Sequence, residues 1–465
     1  MAGISEKINN QHYHLIGVGG IGMSGIAKLL LHNHITVSGS DLKETEITEH
    51  LKRLGANIFI GHNSLNISGA DLVVYSSAIG EDNPEVKEAK KIGIPLIKRA
   101  QALAHLMQDE TVITVTGSHG KTTTASLVSC LLLEAGFNPT LAVGGVIKNI
   151  DANAYAGDGK FFVAEADESD GSFLYYRPKY SIITNIDYEH LDYYKDFQSE
   201  ISAFRQFVNN TEKDGCVFFC SDDRTLKNIA KDYKQRYVLF GLNDDADIYP
   251  HDIKIDGLAS EFDCFYRNDF VGRFYLGLAG RHNISNALSV IALGLELKID
   301  LKFIKNALRD YKGAKRRLEI KFKDNALLVL DDYAHHPTEI KATLSAARFL
   351  NPARLIAVFQ PHRYTRTKLL LDEFAKSFDF ADCVIVTDIY AASELPQEGV
   401  TGRSVYNKIK EYYPDKETYF LPKEQITAHL LKFIRPNDLV ITLGAGDIVK
   451  VSDELVEGLK RQDKF

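Results

Sequence analysis

Short apolar runs alternate with helical patterns along most of the chain. Residues 14–16 form an apolar run, and Met23, Ile26 and Leu29 then recur at the spacing of a helix face. Residues 36–38 and 72–75 are further apolar runs of strand length. Because strands that alternate with helices build parallel sheets, this part is predicted to be an α/β unit.

The same alternation recurs twice more, at residues 112–184 and 327–443. At about 150 residues per domain, a chain of 465 residues is predicted to have three domains. The predicted fold class is therefore α/β with three domains, at 1–105, 106–312 and 313–465. Residues 101–110 are interpreted as a connector. Residues 216–278 alternate more and carry many turn residues, so they are predicted to be rich in β-structure.

Composition narrows the class of protein. The chain is 45% hydrophobic and 25% charged, which is typical of a soluble globular protein. A net charge of −7 argues against a nucleic-acid binder with a basic surface. The five cysteines form no CxxC pair, and no apolar run reaches the ~20 residues that a membrane span needs. These features, with a polar N-terminus, predict a cytoplasmic protein without a membrane partner.

The strongest motif is TVTGSHGKTTT at residues 114–124. It is predicted to be a strand, a glycine turn and the start of a helix, an arrangement that points backbone N–H groups at a phosphate. Lys121 adds a full positive charge, and the hydroxyl of Thr122 can bind Mg²⁺. The turn has two residues between its glycines, Gly117 and Gly120, instead of the four of the usual P-loop motif. We predict a nucleotide triphosphate site here.

A second phosphate-binding turn lies near the N-terminus. Gly17, Gly19 and Gly22 match the dinucleotide fingerprint GxGxxG, and Asp41 follows at a suitable distance to bind ribose hydroxyls. The fingerprint alone would suggest an NAD enzyme. Two phosphate-binding turns in one chain instead predict a triphosphate at Lys121 and a second, diphosphate-bearing ligand at residues 17–22.

Carboxylates follow two strands of the predicted central domain. Glu165 comes directly after the run 161–164 and is our best candidate for a Mg²⁺ ligand. His190 lies in NIDYEHLD after the next strand, where a structural histidine and a ligand of a second Mg²⁺ are about equally expected. Asn283 precedes an apolar helix, where it can read a base edge or cap the helix.

Polar residues also follow the strands of the third domain. Arg316 and Arg317 form either a solvated charge run or an arginine that reaches the γ-phosphate. Arg363 and Arg366 are three residues apart, so on one helical turn their side chains would face the same way. Two guanidinium groups placed together suit a carboxylate ligand.

Together these motifs resemble the Mur ligases of peptidoglycan synthesis. The resemblance covers nearly the whole chain in the family's order: GVGGIGMSG, SGSD, SSAIGEDNPE, TGSHGKTTT, EADESDGSF, NIDYEHLD, AGRHNISNA, DDYAHHPTE, FQPHRYTRT and GAGDI. It implies an N-terminal Rossmann-like UDP-binding domain, a central P-loop ATPase domain and a C-terminal Rossmann-like domain. The implied activity, in the family branch that the sequence most resembles, is ATP-dependent joining of L-alanine to UDP-N-acetylmuramate through an acyl phosphate. ATP and Mg²⁺, as two ions, are the implied cofactors, and a monomer or weak dimer is expected.

The resemblance also implies a role for each residue that matches a family motif. The UDP-sugar would be bound by Gly17, Gly19, Gly20, Gly22, Asp41 and Ser76. ATP would be bound by Gly117, Ser118, His119, Gly120, Lys121, Thr122, Thr123, His282, Asn283, Asn286, Arg317 and Asp332. The metal ligands would be Thr122, Glu165 and His190, and the amino acid would meet Tyr333, His335, Arg363 and Arg366. The expected catalytic residues are Lys121, Glu165, His190, Arg363 and Arg366.

One position departs from the wider family. Ligases that add later residues carry a carbamylated lysine about fifteen residues after the position of His190, where this chain has Arg205. The L-alanine branch also lacks that lysine. Three alternatives stay open: a recycling ligase that attaches a tripeptide to the same sugar nucleotide, an NAD-dependent oxidoreductase built on residues 17–22, and a nucleotide-dependent switch or scaffold without chemistry.

Overall fold

The structure of the protein is a computed structural model. Its described residues form three β-sheets with flanking helices. The structure describes residues 11–76, 78–189, 193–324, 326–392 and 394–461. His190 lies outside the described residues. By its internal contacts the chain divides into two compact units. Unit 1 comprises residues 1–250, 264–271 and 285–308, and unit 2 comprises residues 251–263, 272–284 and 309–465. The predicted domain boundaries at 105 and 312 stay predictions.

The first sheet belongs to unit 1 and is entirely parallel, with the strand order β3-β2-β1-β4-β5. Its strands are β1 (His12–Ile16), β2 (Thr36–Asp41), β3 (Asn57–Ile60), β4 (Leu72–Tyr75) and β5 (Leu96–Lys98). Its helices are α1 (Ile21–His32), α2 (Glu46–Arg53), α3 (Pro84–Ile92) and α4 (Arg99–Leu106). The order changes direction at β1, and Rossmann-like sheets bind ligands at such a switch point.

Helix α4 corrects one interpretation. Most of the predicted connector 101–110 is helical, because Ala102 and Leu103 are buried and make the segment part of the core. The side chain of Gln101 also accepts a hydrogen bond from the Lys98 N–H at 2.9 Å, which fixes the start of the helix.

The second sheet contains the predicted triphosphate turn. In unit 1 its strand order is β12-β11-β10-β6-β9-β7-β8, and strands β13 to β15, which run through both units, continue the sheet beyond β12. The strands are β6 (Thr111–Thr116), β7 (Thr140–Ile147), β8 (Ala152–Tyr155), β9 (Phe161–Glu165), β10 (Tyr180–Ile183), β11 (Cys216–Cys220), β12 (Tyr237–Phe240), β13 (Ile248–Asp256), β14 (Ala259–Tyr266) and β15 (Asp269–Leu276). The helices are α5 (Lys121–Glu134), α6 (Phe197–Asn209), α7 (Arg224–Asp232), α8 (Arg281–Glu296) and α9 (Leu301–Arg309). The β-rich prediction for 216–278 is confirmed, with α7 as its one helical element in the described residues.

The third sheet lies in unit 2. Its order is β16-β17-β21-β18-β19-β20, and only β16 pairs antiparallel. The strands are β16 (Glu319–Lys323), β17 (Leu327–Asp332), β18 (Arg354–Phe359), β19 (Cys383–Val386), β20 (Glu417–Phe420) and β21 (Asp438–Leu443). The helices are α10 (Pro337–Arg348), α11 (Tyr364–Leu369), α12 (Leu371–Ala375), α13 (Gly402–Tyr412), α14 (Lys423–Phe433) and α15 (Val449–Arg461). The α/β fold class is confirmed in all three sheets.

Two features bear on the composition argument. All five cysteines are buried and none is in a disulfide. Among the described residues, no helix combines the length and the apolar character that crossing a membrane would need.

Candidate active site

The turn between β6 and α5 is shaped by two glycines in the left-handed region. Gly117 has a φ of 125°, and a Cβ there would collide with the hydroxyl of Thr184 and with the backbone of Asn185. Gly120 has a φ of 83°, and a Cβ there would lie 2.9 Å from Oδ1 of Asn286. Only glycine fits either position without strain, so the turn approaches its neighbours with bare backbone.

The end of β10 holds this turn in place. The side chain of Asn185 accepts from the His119 N–H at 2.8 Å and donates to the His119 carbonyl at 3.0 Å. Thr184 Oγ donates to the same carbonyl at 2.6 Å. Asn185 was not among the predicted site residues, although it opens the NIDYEHLD motif. Its position after a buried strand next to β6 is the signal that would have identified it.

Lys121 is the first residue of α5, and its ammonium group folds back over the turn. Nζ donates to the carbonyls of Gly117 at 2.6 Å and Ser118 at 3.1 Å and lies 2.8 Å from the buried carboxylate of Glu168. Burial alone would lower the pKa of Lys121, but the carboxylates of Glu168, Asp167 and Glu165 outweigh burial and raise it. Lys121 is therefore a permanent cation at the turn. Glu168, its partner, was missed by sequence analysis.

Thr122 and Glu165 place hard oxygen atoms side by side. The hydroxyl of Thr122 donates to the two carboxylate oxygens of Glu165 at 3.0 and 3.2 Å. The Gly144 N–H donates to the same carboxylate at 2.8 Å, which fixes its orientation. Mg²⁺ prefers carboxylate and hydroxyl oxygens, so this pair fits the predicted ion. The third predicted ligand, His190, lies outside the described residues.

The first two turns of α8 carry the residues predicted for adenine. Asn286 packs against Gly120 and so lies beside the predicted triphosphate turn. Asn283 is buried and donates from its side chain to the Ala279 carbonyl at 2.7 Å. Asn283 is the third residue of α8, which begins at Arg281, so it is not the N-cap residue and the capping alternative is wrong. Burial lowers the pKa of His282 to about 4, although the Glu339 carboxylate acts in the opposite direction. The imidazole is therefore neutral at neutral pH.

The turn between β1 and α1 is held mainly by backbone groups. The N–H groups of Gly17 and Val18 donate to the Ser40 carbonyl at 2.8 and 3.0 Å, and Gly17 has a φ of 77°. Oδ2 of Asp41 accepts from the Gly19 N–H at 2.9 Å, so the predicted ribose ligand also braces the turn. Ser76 follows β4 at the same edge, since β4 pairs with β1. The predicted residues of this turn therefore lie together.

Arg99 lies between the start of α1 and the acidic loop after β9, and it was not predicted as a site residue. A Cβ at Gly22 would lie 2.7 Å from Nη1 of Arg99, and Nη2 lies 3.5 Å from Oδ2 of Asp167. Arg99 and Asp167 line a cavity of about 90 Å³ together with Gly22, Gly144 and Glu165. The cavity thus extends from Gly22 to Glu165, one of the predicted magnesium ligands. Arg99 follows the short strand β5 directly, and that position is the sequence signal that would have identified it.

The contacts within unit 2 distinguish Arg316 from Arg317, which the sequence alone could not do. Arg316 is bound within the fold: Nε lies 3.0 Å from the Asp331 carboxylate and Nη2 donates to the Gly444 carbonyl at 2.6 Å. Asp331 is buried and also accepts from Thr442 at 2.6 Å. Arg317 also contacts its own unit, with Nη1 3.9 Å from the Glu339 carboxylate and the guanidinium over the Tyr333 ring. The contacts of Arg316 with Asp331 and Gly444 are shorter, which favours Arg317 as the predicted nucleotide ligand.

Asp332 is the second of the two aspartates. It accepts from the Leu318 N–H at 2.6 Å and the Ala334 N–H at 2.8 Å. Burial raises the pKa of Asp332 to about 6, although Arg317 and the two N–H groups favour the charged form. The carboxylate is therefore fixed in direction and only weakly acidic.

The predicted amino-acid residues lie around a cluster of rings. His335 lies 5.4 Å from the Tyr333 ring and 5.6 Å from the His362 ring, and His362 stacks on Tyr390. Nη1 of Arg366 lies 3.3 Å from Nδ1 of His362. Burial and nearby cations lower the pKa of His362 to about 3, so the neutral ring can accept from Arg366.

One premise about this cluster is wrong. Arg363 and Arg366 do not share a helical turn, because Arg363 precedes α11 with a φ of 68°. A positive φ is costly for a residue with a Cβ. The Arg363 N–H donates to the Tyr390 carbonyl at 2.9 Å, which fixes this conformation. Arg363, one of the two predicted carboxylate ligands, is thus one of several non-glycine residues that the fold holds at a positive φ.

Arg205, at the position of the family's modified lysine, lies on the surface in α6. Its guanidinium lies 2.9 Å from the Asp232 carboxylate, and both side chains are largely exposed. In the described structure Arg205 therefore takes part in a surface ion pair of unit 1.

Comparisons with known proteins agree with this organisation. Three family models match successive segments: the Mur ligase family catalytic domain at residues 12–111, the Mur ligase middle domain at 115–294 and the Mur ligase glutamate ligase domain at 316–446. A UDP-N-acetylmuramate–L-alanine ligase of Geotalea uraniireducens is 45% identical over 460 residues, which cover 99% of each chain.

Solved structures give the same result. The crystal structure of the UDP-N-acetylmuramate–alanine ligase MurC of Thermotoga maritima is 30% identical with a TM-score of 0.84, covering 97% of this chain and all of that one. A murein peptide ligase of Psychrobacter arcticus is 24% identical with a TM-score of 0.72, covering 97% and 99%. At that identity the second match shows the fold alone. The chain belongs to the Mur ligase family, whose members are ATP-dependent ligases.

Proposed function

We propose that the protein joins the amino group of L-alanine to the lactyl carboxylate of UDP-N-acetylmuramate at the expense of ATP. The products are UDP-N-acetylmuramoyl-L-alanine, ADP and phosphate, which makes this a step of peptidoglycan precursor synthesis. One observation carries the proposal: a single cavity in unit 1 is lined both by Gly22 of the N-terminal turn and by Glu165 of the triphosphate site. A sugar nucleotide bound at the N-terminal turn would extend toward the turn at Gly117.

The chemistry follows from what the residues can hold. A carboxylate oxygen of the sugar attacks the γ-phosphorus of ATP, the bond to ADP breaks, and an acyl phosphate forms. Lys121 stabilises the charge that develops on the phosphate oxygens. Mg²⁺, held by Thr122 and Glu165 with His190 as the proposed ligand of a second ion, would supply further charge neutralisation. The turn itself mainly positions the reacting atoms.

The second step needs the amino acid. The L-alanine amine attacks the acyl carbon, phosphate leaves, and the amine loses a proton. Arg363 and Arg366 would hold the L-alanine carboxylate, with Tyr333 and His335 beside it. Arg317 and Asp332 would contact the nucleotide. The neutral imidazole of His282, with Asn283 and Asn286, would contact adenine.

Support for L-alanine as the amino acid comes from the relatives. The relative from Geotalea and the structure from Thermotoga are both named as alanine ligases, and both match nearly the full chain. The murein peptide ligase from Psychrobacter matches less closely in sequence and in structure. The oxidoreductase alternative leaves the second turn, with its Lys121, without a role. ATP is made inside the cell, so we propose a cytoplasmic enzyme, acting as a monomer or weak dimer.

A mass spectrum of the product tests this proposal. The protein is incubated with UDP-N-acetylmuramate, Mg·ATP and either L-alanine or the tripeptide. We expect a new species with the mass of the sugar nucleotide plus alanine minus water, with one ADP released per product. A product only with the tripeptide would establish the recycling activity instead, and tight NAD binding without any product would favour a redox enzyme.

A further inference from the structure

Arg99 occupies the position where the two ligand sites of unit 1 meet. Its guanidinium packs against Gly22, the third glycine of the fingerprint and the second residue of α1, where an added Cβ would lie 2.7 Å from Nη1. The other end of the guanidinium, Nη2, lies 3.5 Å from Oδ2 of Asp167. One guanidinium therefore faces the diphosphate turn with one nitrogen and a carboxylate with the other.

Asp167 uses its two oxygens for different purposes. Oδ1 accepts from the Ser169 N–H at 3.1 Å and fixes the acidic loop after β9, whereas Oδ2 faces Arg99. Asp167 therefore offers one carboxylate oxygen to Arg99, while the other stays bound to the backbone of its own loop.

The ion pair has the properties of an exchangeable contact. The exposed side-chain fractions are 27% for Arg99 and 39% for Asp167, and 3.5 Å is long for a charged hydrogen bond. Partly exposed ion pairs contribute little to stability. A phosphate oxygen pair, in contrast, matches the two nitrogens of a guanidinium in a bidentate geometry. A diphosphate at residues 17–22 would thus compete successfully with Asp167 for Arg99.

We propose that Arg99 is a binding residue for the diphosphate of the sugar nucleotide, and that Asp167 is its internal competitor in the free protein. The proposal rests on the proposed function, because it takes the ligand of residues 17–22 to be a UDP-sugar. When the ligand binds, Arg99 leaves Asp167 for the diphosphate, and the Asp167 carboxylate stays in the cavity beside Glu165. Arg99 thereby supplies the cation that the N-terminal turn itself lacks.

Opposite effects of the two partners test this inference. Isothermal titration measures the dissociation constants of UDP-N-acetylmuramate and of UDP-N-acetylglucosamine, which has the diphosphate but no lactyl carboxylate. We expect Arg99→Gln to weaken both ligands by about 10- to 100-fold, the usual range for a lost charge-assisted contact. Asp167→Asn is expected to leave the affinity unchanged or to increase it about 2- to 5-fold, since it removes the competitor.

Three further measurements make the result unambiguous. Arg99→Lys keeps the charge without the bidentate geometry and should fall between wild type and Arg99→Gln. Arg205→Gln, which breaks the surface pair with Asp232, is the matched control and should bind like wild type. Titration with Mg·ADP alone shows that each variant retains a folded nucleotide site.

Each contrary result has its own meaning. Equal weakening by Arg99→Gln and Asp167→Asn would overturn the proposal in favour of a purely structural ion pair. Weakening by Arg99→Gln of UDP-N-acetylmuramate alone would assign Arg99 to the lactyl carboxylate and overturn the diphosphate assignment. Wild-type affinity of Arg99→Gln for both ligands would also overturn it. Failure of the wild-type protein to bind either UDP-sugar would instead overturn the proposed function.

Discussion

The two glycine turns of unit 1 share a strand–turn–helix plan but obtain their charge differently. The turn at Gly117 carries its own cation, Lys121, one residue after its last glycine, and a buried glutamate, Glu168, binds that cation. The turn at Gly17 has no basic residue, and Arg99, the cation beside it, comes from a different element. A turn with its own cation can be recognised from local sequence, whereas a turn that depends on a distant cation cannot.

Removing the local cation should give the largest effect. We expect Lys121→Ala to lower kcat by about 1,000-fold or more, because the developing phosphate charge loses its main protein counter-charge. Steady-state release of ADP measures this. Lys213→Ala, which removes an exposed lysine of unit 1, should keep full activity.

The change also leaves Glu168 buried beside the turn without its lysine, so a lower melting temperature should accompany the loss. If Lys121→Ala kept even a tenth of the wild-type kcat, the turn at Gly117 would not be the triphosphate site, and the contrast between the two turns would lose its basis.

Glycine substitutions compare the two turns directly. Gly117→Ala places a Cβ against Thr184 and Asn185 at a φ of 125°. We expect a stability loss of about 2–3 kcal/mol, seen as a lower melting temperature in scanning fluorimetry. Gly20 has a φ of −68°, and its nearest contact for a Cβ is the Gly17 carbonyl at 3.4 Å. Gly20→Ala should therefore cost less than about 1 kcal/mol. Similar losses at both positions would contradict the difference in packing.

Glu165, the proposed metal ligand beside the turn at Gly117, gives an intermediate effect. Glu165→Gln keeps the shape of the side chain and removes its charge. We expect the Mg²⁺ concentration for half-maximal activity to rise about tenfold or more, since losses of this size follow even changes to outer ligands of metal sites. Glu134→Gln, at an exposed position on α5, is the control. An unchanged Mg²⁺ titration would remove Glu165 from the metal site.

The sequence predicted the parts of the site that consist of neighbours in the chain, and it missed residues that only the fold brings together. The strand ends, the two turns and Lys121 with Thr122 follow from local patterns, because the residues involved are neighbours in the chain. Arg99 and Asn185 were missed because their roles depend on which strand ends lie side by side. The choice between Arg316 and Arg317 required the direction of each side chain, and Arg316 is directed inward by a backbone turn with a φ of 61°. The resemblance to the family supplied roles for residues that local patterns left open.

The last comparison concerns the buried carboxylate behind the N-terminal turn. Oε2 of Glu85 accepts from the Ser40 hydroxyl at 2.6 Å, and the carbonyl of Ser40 accepts from the Gly17 N–H at 2.8 Å. Burial would raise the pKa of Glu85, but hydrogen bonds from His14, Ser40 and Asn66 outweigh burial and lower it to about 2. Glu85 thus braces the backbone of its turn, whereas Glu168 binds the cation of the other turn.

The lowered pKa sets the direction of a pH effect. An acid with a lower pKa in the folded state stabilises the protein above its unfolded pKa, and that stability disappears as the pH falls from about 4.5 toward about 2. Because each tenfold change in acidity corresponds to about 1.4 kcal/mol, Glu85 contributes up to about 3 kcal/mol at neutral pH. Glu85→Gln should therefore lower the melting temperature at pH 7, and its difference from wild type should shrink below pH 4.5. Glu81→Gln, which breaks the exposed pair with Lys90, should leave the melting temperature unchanged both at pH 7 and below pH 4.5. A difference that stayed constant with pH would mean that the turn needs the shape of Glu85 and not its charge, and the two buried glutamates would then differ even more than the structure indicates.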